Sequence, residues 1–332
     1  MEKKEKILLV LGNGFDLDLG FKTSYYDFAN KSGFWPKCKD SALWQFLDRQ
    51  KEEQGKKWGG IEASLEEYVG SPIENTMFEK DVVAYKTIVE HLRLYLHRVL
   101  YGKPLHLDQS RNEPVFNSEF SFKESLAYYF CDCAVRDRMI GEIITFNYTD
   151  INEYLKQIAK EENLQFKNIP CTFLHRVDDT RLMVLGVSSD AKLSDCRYDF
   201  LKKSYQIVQQ PILRKLIEAD TIIFYGLSFS RPDYCYFKQF FQLISDYKSG
   251  LACKNIYIVS LNDDSYQECN RGIEDMLGGD ISQLYQLNNV IQVNTDKQHF
   301  SKGASKLLLH IQNYSQSTLQ IPLLKCSRIE EL

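Results

Sequence analysis

Seven short runs of apolar and β-branched residues are spread along the chain, and polar or turn residues follow each of them. Runs of this length are typical of strands buried on both faces, as in a parallel sheet covered by helices. They occupy residues 7–11, 143–146, 172–174, 182–185, 221–225, 256–261 and 290–293. Segments with helical periodicity lie between many of them, so the pattern predicts a doubly wound α/β fold.

One long interval, from about residue 23 to residue 138, contains no convincing strand. Apolar positions in it recur at a spacing of three to four residues, which indicates amphipathic helices. Helices are predicted at residues 26–30, 41–50, 61–69, 79–100 and 121–135, and a loop at 102–114. The chain is therefore expected to form an α/β domain from residues 1–22 and 139–314, a helical insertion at 23–138 and a C-terminal tail at 315–332.

Composition narrows the possible functions. The 332 residues carry a net charge of -4, so no overall basic field attracts nucleic acid, and a nucleic-acid partner is not expected. No stretch approaches the ~20 apolar residues of a membrane span, and the run at 7–11 is too short for a signal peptide. We therefore expect a cytoplasmic protein with no membrane partner. The 9 cysteines form no paired Cys-x-x-Cys motif, so we expect free thiols and no metal site.

The first predicted strand ends in Gly12-Asn13-Gly14. Glycines at this position let backbone amides approach a pyrophosphate, and the N-terminus of the following helix favours an anion. The third glycine of the dinucleotide motif would fall at Leu17 and is absent. A plain tight turn is therefore the competing interpretation of this motif.

Asn147 and His175 follow two further predicted strands, so both are expected at the same rim of the sheet. An amide there can hold a ribose hydroxyl or orient a water, and histidine accepts a proton near neutral pH. The structural alternatives stay open. Asn147 can serve the turn before a helix capped by Thr149 or Asp150, and a lone histidine after an apolar pair is more often a core or loop residue.

Two more predicted strands end in small or polar residues. The strand at 221–225 leads into Gly226-Leu227-Ser228, which suits a contact with phosphate or ribose. Ser230 stands where the nucleophile elbow of a serine hydrolase needs glycine, so that class is disfavoured. The strand at 256–261 leads into Asn262-Asp263-Asp264, which can accept hydrogen bonds from an adenosine ribose or form a solvated turn. Ligands of open α/β sheets bind outside the carboxyl ends of the strands, so the motifs together indicate a ligand site there.

These motifs in combination resemble a known family. Gly12-Asn13-Gly14-Phe15-Asp16 with Thr23-Ser24-Tyr25 is similar to the opening of the AbiH-type bacteriophage abortive-infection family. The resemblance continues through Trp58 to Glu62, through Thr145-Phe146-Asn147-Tyr148-Thr149 and through the Gly226-x-Ser228 turn with Asp233. The family is more distantly similar to sirtuin-like domains, which bind NAD on a Rossmann-type sheet.

The resemblance implies a Rossmann-like, mostly parallel sheet with helices on both faces and the helical insertion after the first strand. It also implies an antiphage effector that binds NAD and hydrolyses its N-glycosidic bond to nicotinamide and ADP-ribose, without a metal. The implied catalytic residues are Asn147 and His175. The expected cofactor-binding residues are Gly12, Asn13, Gly14, Asp16, Thr23, Tyr148, Gly226, Ser228 and Asn262. Arg176 departs from the family pattern, which has glycine after this histidine, and it adds a positive charge beside a cationic nicotinamide.

A second hypothesis from a different class is a catalytically inactive nucleotide-sensing or scaffold protein. In that case the helical insertion binds a phage or host partner. A nuclease is poorly supported, because the acidic residues form no obvious metal-binding constellation. The sequence leaves open the trigger, phage-derived or a partner protein, the formation of a homo-oligomer, and the choice between NAD, NADP and an ADP-ribose derivative.

Overall fold

The computed structural model describes residues 6–55, 60–73, 77–101, 125–137, 140–177, 182–206, 212–251, 253–296 and 307. The predicted loop at 102–114, the tail at 315–332 and Trp58 lie outside the described residues. In the described part of the chain, no helix is both long enough and apolar enough to cross a membrane.

Six strands form a single sheet in the order β3-β2-β1-β6-β7-β8, and every neighbouring pair is parallel. They are β1 (Ile7–Leu11), β2 (Ile140–Thr145), β3 (Cys171–Phe173), β6 (Thr221–Tyr225), β7 (Asn255–Ser260) and β8 (Asn289–Asn294). Counted along the chain this is the order 3-2-1-4-5-6 of a Rossmann sheet, and the order reverses between β1 and β6. The α/β, Rossmann-like prediction is confirmed.

One strand prediction is wrong. The apolar run at 182–185 does not join the parallel sheet. β4 (Arg176–Val177) and β5 (Leu182–Met183) instead form a separate antiparallel ribbon. The residues after this ribbon, Leu185 and Val187, are buried in the core of the helical insertion, which explains why the segment is apolar without being a sheet strand.

The helices cover both faces of the sheet and form the insertion. They are α1 (Asn13–Asp18), α2 (Tyr25–Asn30), α3 (Ala42–Gln54), α4 (Ile61–Gly70), α5 (Phe78–Tyr101), α6 (Leu126–Asp137), α7 (Ile151–Glu161), α8 (Lys203–Gln206), α9 (Ile212–Glu218), α10 (Tyr234–Ile244), α11 (Asp263–Leu277) and α12 (Ser282–Leu287). Several begin at a side-chain cap: the side chains of Ser24, Ser41 and Asp150 accept hydrogen bonds from the first turns of α2, α3 and α7. Between residues 23 and 138, the described segments contain helices and no strand.

Three apolar cores follow from the alternation of side chains along the strands. Ile7, Leu9 and Leu11 of β1 pack on one face with α1, α6 and α7. Leu8 and Val10 pack on the other face with α9, α10 and α11. The third core joins α2, α3, α4 and α5 to residues 185–201. The segment between β5 and α8 is therefore attached to the helical insertion, while α6 packs on the sheet. The domain boundaries themselves stay a prediction.

Candidate functional site

The carboxyl ends of β1 and β6 meet at the point where the strand order reverses. The amide of Gly12 donates to the carbonyl of Tyr225 at 2.8 Å, and the amide of Gly14 donates to the carbonyl of Gly226 at 3.0 Å. A Cβ on Gly12 would lie 2.5 Å from the carbonyl oxygen of Gly226, and Gly226 has a φ of +65°. Direct packing of the two turns thus explains these glycines, and their role toward a pyrophosphate stays a prediction.

Exposed polar groups also lie at this edge of the sheet. Asn13 and Ser228 are exposed, and the hydroxyl of Thr23 donates to Oδ1 of Asn13 at 2.6 Å. The side-chain amide nitrogen of Asn13 remains as a donor on the surface. Asn262 instead caps α11, because its Oδ1 accepts from the amide and the hydroxyl of Ser265. Binding of a nucleotide by these side chains stays a prediction.

A first buried polar group, which we call the Asp16 cluster, joins the turn after β1 to the turn after β2. It consists of Asp16, Asn147 and Thr149. Nδ2 of Asn147 donates to Oδ1 of Asp16 at 2.9 Å and to the carbonyl of Gly12 at 3.0 Å. The hydroxyl of Thr149 contacts both carboxyl oxygens of Asp16, at 3.0 and 2.9 Å. All three side chains are buried. The amide of Asn147 is oriented by these contacts, because a reversed amide would face two acceptors with its oxygen.

Burial dominates the charge state of Asp16. Desolvation raises the pKa of this carboxyl from 3.8 to about 7, although the hydrogen bonds from Thr149 and Asn147 favour the ionised form. No cation among the described residues forms an ion pair with it. The carboxyl of Asp16 therefore exchanges its proton near neutral pH, directly beside the predicted catalytic amide.

A second buried group, which we call the Lys203 cluster, is assembled from four separate segments. Its members are Glu62 of α4, His175 between β3 and β4, Lys203 at the start of α8, and Asp233 just before α10. Nζ of Lys203 lies 2.7 Å from Oδ1 of Asp233, 3.1 Å from Oε2 of Glu62 and 3.2 Å from Nε2 of His175. Oε1 of Glu62 accepts from the amide of Gly186 at 3.2 Å.

The charges in the Lys203 cluster stabilise one another. Burial opposes the charge of Lys203, but the carboxylates of Asp233 and Glu62 raise the pKa of this amine above its usual range. Burial also opposes the charge of Asp233, but the ammonium of Lys203 holds its pKa well below the usual value. Counting formal charges, with two carboxylates and one ammonium, the cluster carries one net negative charge. Among the described residues, no group of His, Cys, Asp and Glu side chains is arranged to hold a metal ion.

Aromatic side chains lie between the two clusters. The ring of Phe146 lies 5.2 Å from the ring of His175 and 5.2 Å from that of Tyr236, both edge-on. The ring of Tyr148 lies 6.2 Å from that of His175, and its hydroxyl donates to the carbonyl of Val184. The hydroxyl of Tyr236 is buried and has no hydrogen-bond partner in the part of the chain that the structure describes. We call residues 146–148 the wall: its middle residue, Asn147, belongs to the Asp16 cluster, and the rings of Phe146 and Tyr148 lie against His175 of the Lys203 cluster.

The structure brings the two predicted catalytic residues to the same rim. Thr145 of β2 is in register with Phe173 of β3, and Asn147 and His175 each follow two residues later. Lys203 was missed by the sequence reasoning, and Glu62 and Asp233 entered only as motif residues. Lys203 follows Lys202 in a segment without a recognisable motif, so no local signal distinguishes it. Only the packing of the insertion against the segment after β5 reveals its position.

The family model described as bacteriophage abortive infection AbiH matches residues 8–252, which include every member of both clusters. No curated protein and no solved structure matches the chain.

Proposed function

This chain belongs to the bacteriophage abortive infection AbiH family, and we propose that it is an antiphage effector that binds NAD and hydrolyses its N-glycosidic bond. The products are nicotinamide, ADP-ribose and a proton, and water supplies the oxygen added at the ribose carbon. The observation that carries the proposal is the equal register of Asn147 and His175 past β2 and β3. In sheets of this order, dinucleotides bind outside the carboxyl ends of the strands.

Asn147 and the Lys203 cluster offer interactions that fit the nicotinamide-ribose half of the ligand. The amide oxygen of Asn147 has no hydrogen-bond partner among the described residues, so it is available to accept from a ribose hydroxyl or from the attacking water. The net negative charge of the Lys203 cluster favours the positively charged nicotinamide ring and an oxocarbenium-like ribose. Both effects support cleavage at this bond and need no metal.

Fewer hydrogen-bond donors are free to bind the pyrophosphate half of the ligand. The amides of Gly12 and Gly14 already bond to the turn after β6, so they would not be free to cradle a phosphate. The exposed side chains of Asn13 and Ser228 are the polar groups that we propose for this half. A triggering phage-derived or partner protein, a cytoplasmic reaction and a homo-oligomer belong to the same proposal.

The test measures nicotinamide and ADP-ribose after purified protein is incubated with NAD, and NAD itself in infected cells that express the chain. Asn147→Ala and His175→Ala should abolish product and preserve cellular NAD. Asn152→Ala is the matched control, because Asn152 makes two hydrogen bonds to Ile169 and lies outside the wall. Undiminished NAD loss in a folded Asn147→Ala variant would overturn the proposal.

One observation favours the second candidate, a nucleotide-sensing or scaffold protein without turnover. Both hydrogens of the Asn147 amide are used within the protein, by Asp16 and by Gly12, which is the arrangement of a structural residue. Calorimetric titration with NAD separates the two candidates. Binding of NAD that is recovered intact from the complex supports the sensor, and recovery of nicotinamide supports the hydrolase.

A further inference from the structure

The ammonium of Lys203 uses all of its hydrogens. An ammonium has three N–H donors and no acceptor, and Nζ of Lys203 has three partners: Glu62, Asp233 and His175. The side chain is fully buried, so water cannot replace a missing partner. A buried charge of this kind is tolerated only when each of its donors is satisfied.

This arrangement fixes the hydrogen on the ring of His175. If Nε2 carried a hydrogen, two donors would face each other across 3.2 Å and one ammonium hydrogen would lose its acceptor. A flipped ring would place a carbon there and leave the same hydrogen unsatisfied. Asp233 does not compete for Nε2, because its Oδ1 lies 3.6 Å away and already accepts from Lys203 at 2.7 Å.

We propose that Lys203 is a positioning residue that holds His175 as the neutral tautomer with its hydrogen on Nδ1. Nε2 is then occupied as an acceptor inside the protein, and Nδ1 has no partner among the described residues. The functional consequence, which rests on the proposed function, is that His175 serves NAD hydrolysis as a hydrogen-bond donor through Nδ1. It does not take a proton from the substrate through Nε2, the general-base role that its residue type predicts.

Glu62 and Asp233 contribute through Lys203. They hold the ammonium beside the ring from opposite parts of the fold, the helical insertion and the turn after β6. The tautomer of His175 therefore depends on α4 being docked against the segment 185–203. A displacement of the insertion would release Lys203 and, with it, the orientation of the ring.

The tautomer can be measured directly by NMR. Long-range correlations between ring nitrogens and ring protons in the full chain labelled at histidine distinguish Nδ1–H, Nε2–H and the doubly protonated ring. The His175→Ala variant identifies the signals of His175. At neutral pH the wild type should show Nδ1–H, whereas Nε2–H or a doubly protonated ring would overturn the proposal, whatever the result with NAD.

A variant tests whether Lys203 is the cause. In Lys203→Met, the carboxylate of Asp233 becomes the nearest acceptor for the ring, so the hydrogen should move to Nε2. If this variant does not fold, Glu62→Gln combined with Lys203→Met keeps the net charge of the cluster at minus one and serves instead. An unchanged Nδ1–H tautomer in either folded variant would contradict the role of Lys203.

A matched pair of substitutions tests the use of the ring in turnover. The side-chain amide of His175→Asn places its nitrogen, a donor, at the position of Nδ1. The amide of His175→Gln places its oxygen at the position of Nε2, where it accepts from Lys203, and has no donor at the position of Nδ1. Since one neutral hydrogen bond to the ligand is at stake, NAD turnover should be about fivefold higher with asparagine than with glutamine. Equal or reversed turnover would contradict Nδ1 as the donor. If the wild type itself turns over no NAD, the proposed function fails and the NMR result still decides the tautomer.

Discussion

The Asp16 cluster and the Lys203 cluster lie beside one wall of residues and solve the same physical problem in opposite ways. Each contains a buried carboxyl group. Asp16 has only neutral hydrogen-bond donors around it, and burial raises its pKa to about 7. Asp233 has the ammonium of Lys203 at 2.7 Å, and its pKa lies well below the usual value. Neutral donors therefore leave a buried carboxyl near its protonation point, while a buried cation keeps a carboxylate ionised.

The difference also has an energetic side. The carboxyl of Asp16 can become neutral by binding a proton, so the loss of one hydrogen-bond partner should lower the free energy of unfolding only modestly. The Lys203 cluster cannot be neutralised in this way, because its ammonium is fully buried and is the cation that pairs with both carboxylates. Disruption should therefore destabilise the Lys203 cluster more than the Asp16 cluster, which the following predictions test from the largest effect to the smallest.

The largest effect is expected from Lys203→Met. Removing one partner of a buried ion pair leaves uncompensated charge and costs about 3–5 kcal/mol in the free energy of unfolding. Urea denaturation measures this change. Lys202→Met is the matched control, because Lys202 makes an i,i+3 pair with Asp199 and is partly exposed, so its loss should cost less than about 0.5 kcal/mol. Similar losses in the free energy of unfolding for the two variants would show that Lys203 is not needed to compensate the charges of the buried carboxylates.

A smaller loss is expected from Asn147→Ala. The substitution removes the donor to the carbonyl of Gly12 and to Asp16, and unsatisfied buried groups cost about 1–3 kcal/mol. Proton uptake by Asp16 should keep the loss toward the lower end. Urea denaturation of this variant beside Lys203→Met measures the comparison itself. A larger loss for Asn147→Ala would reverse the ranking of the two clusters.

The two carboxyl groups predict opposite dependences of stability on pH. Asp16 has a higher pKa in the folded state, about 7, than the ordinary 3.8, so its contribution is fully present below the unfolded value and is lost as pH rises through about 7. Asp233 has a lowered pKa, so its contribution is present above the unfolded value and is lost as pH falls through the lowered one.

Between the two pKa values of Asp16, the free energy of unfolding should fall by up to about 1.4 kcal/mol per pH unit because of this group. Asp16→Asn replaces the carboxyl with a neutral amide of the same shape and should reduce that slope. Urea denaturation of both proteins over this pH range measures it. An equal slope in the variant would mean that Asp16 does not take up a proton on folding.

The two clusters differ in how much of each could be predicted from the sequence, because one lies at strand ends and the other forms only when distant segments pack together. β1 and β6 have the predicted bounds, because a run of apolar and β-branched residues followed by glycine is typical of a buried strand that ends in a tight turn. Parallel strands also made the placement of Asn147 and His175 at the same rim of the sheet predictable. Lys203 and Glu62 are 141 residues apart and meet only when the insertion packs. An apolar run indicates that a segment is buried but not which element it packs against. For this reason the run at 182–185 predicts a strand of the sheet, whereas the structure packs Leu185 against the helical insertion.

The smallest effect concerns Thr149→Val, which removes one hydroxyl and keeps the shape of the side chain. The hydroxyl donates to both oxygens of Asp16, and this donation favours the ionised carboxyl. Its loss should raise the pKa of Asp16 further and cost about 1 kcal/mol or less at neutral pH, since the neutral acid tolerates the missing donor. The pH-dependent fall in the free energy of unfolding should therefore extend to higher pH than in the wild type. Thr149→Ser, which keeps the hydroxyl, is the control and should retain the wild-type midpoint. A downward shift of the midpoint in Thr149→Val would contradict this role and would mean that Thr149 accepts a hydrogen bond from a protonated Asp16.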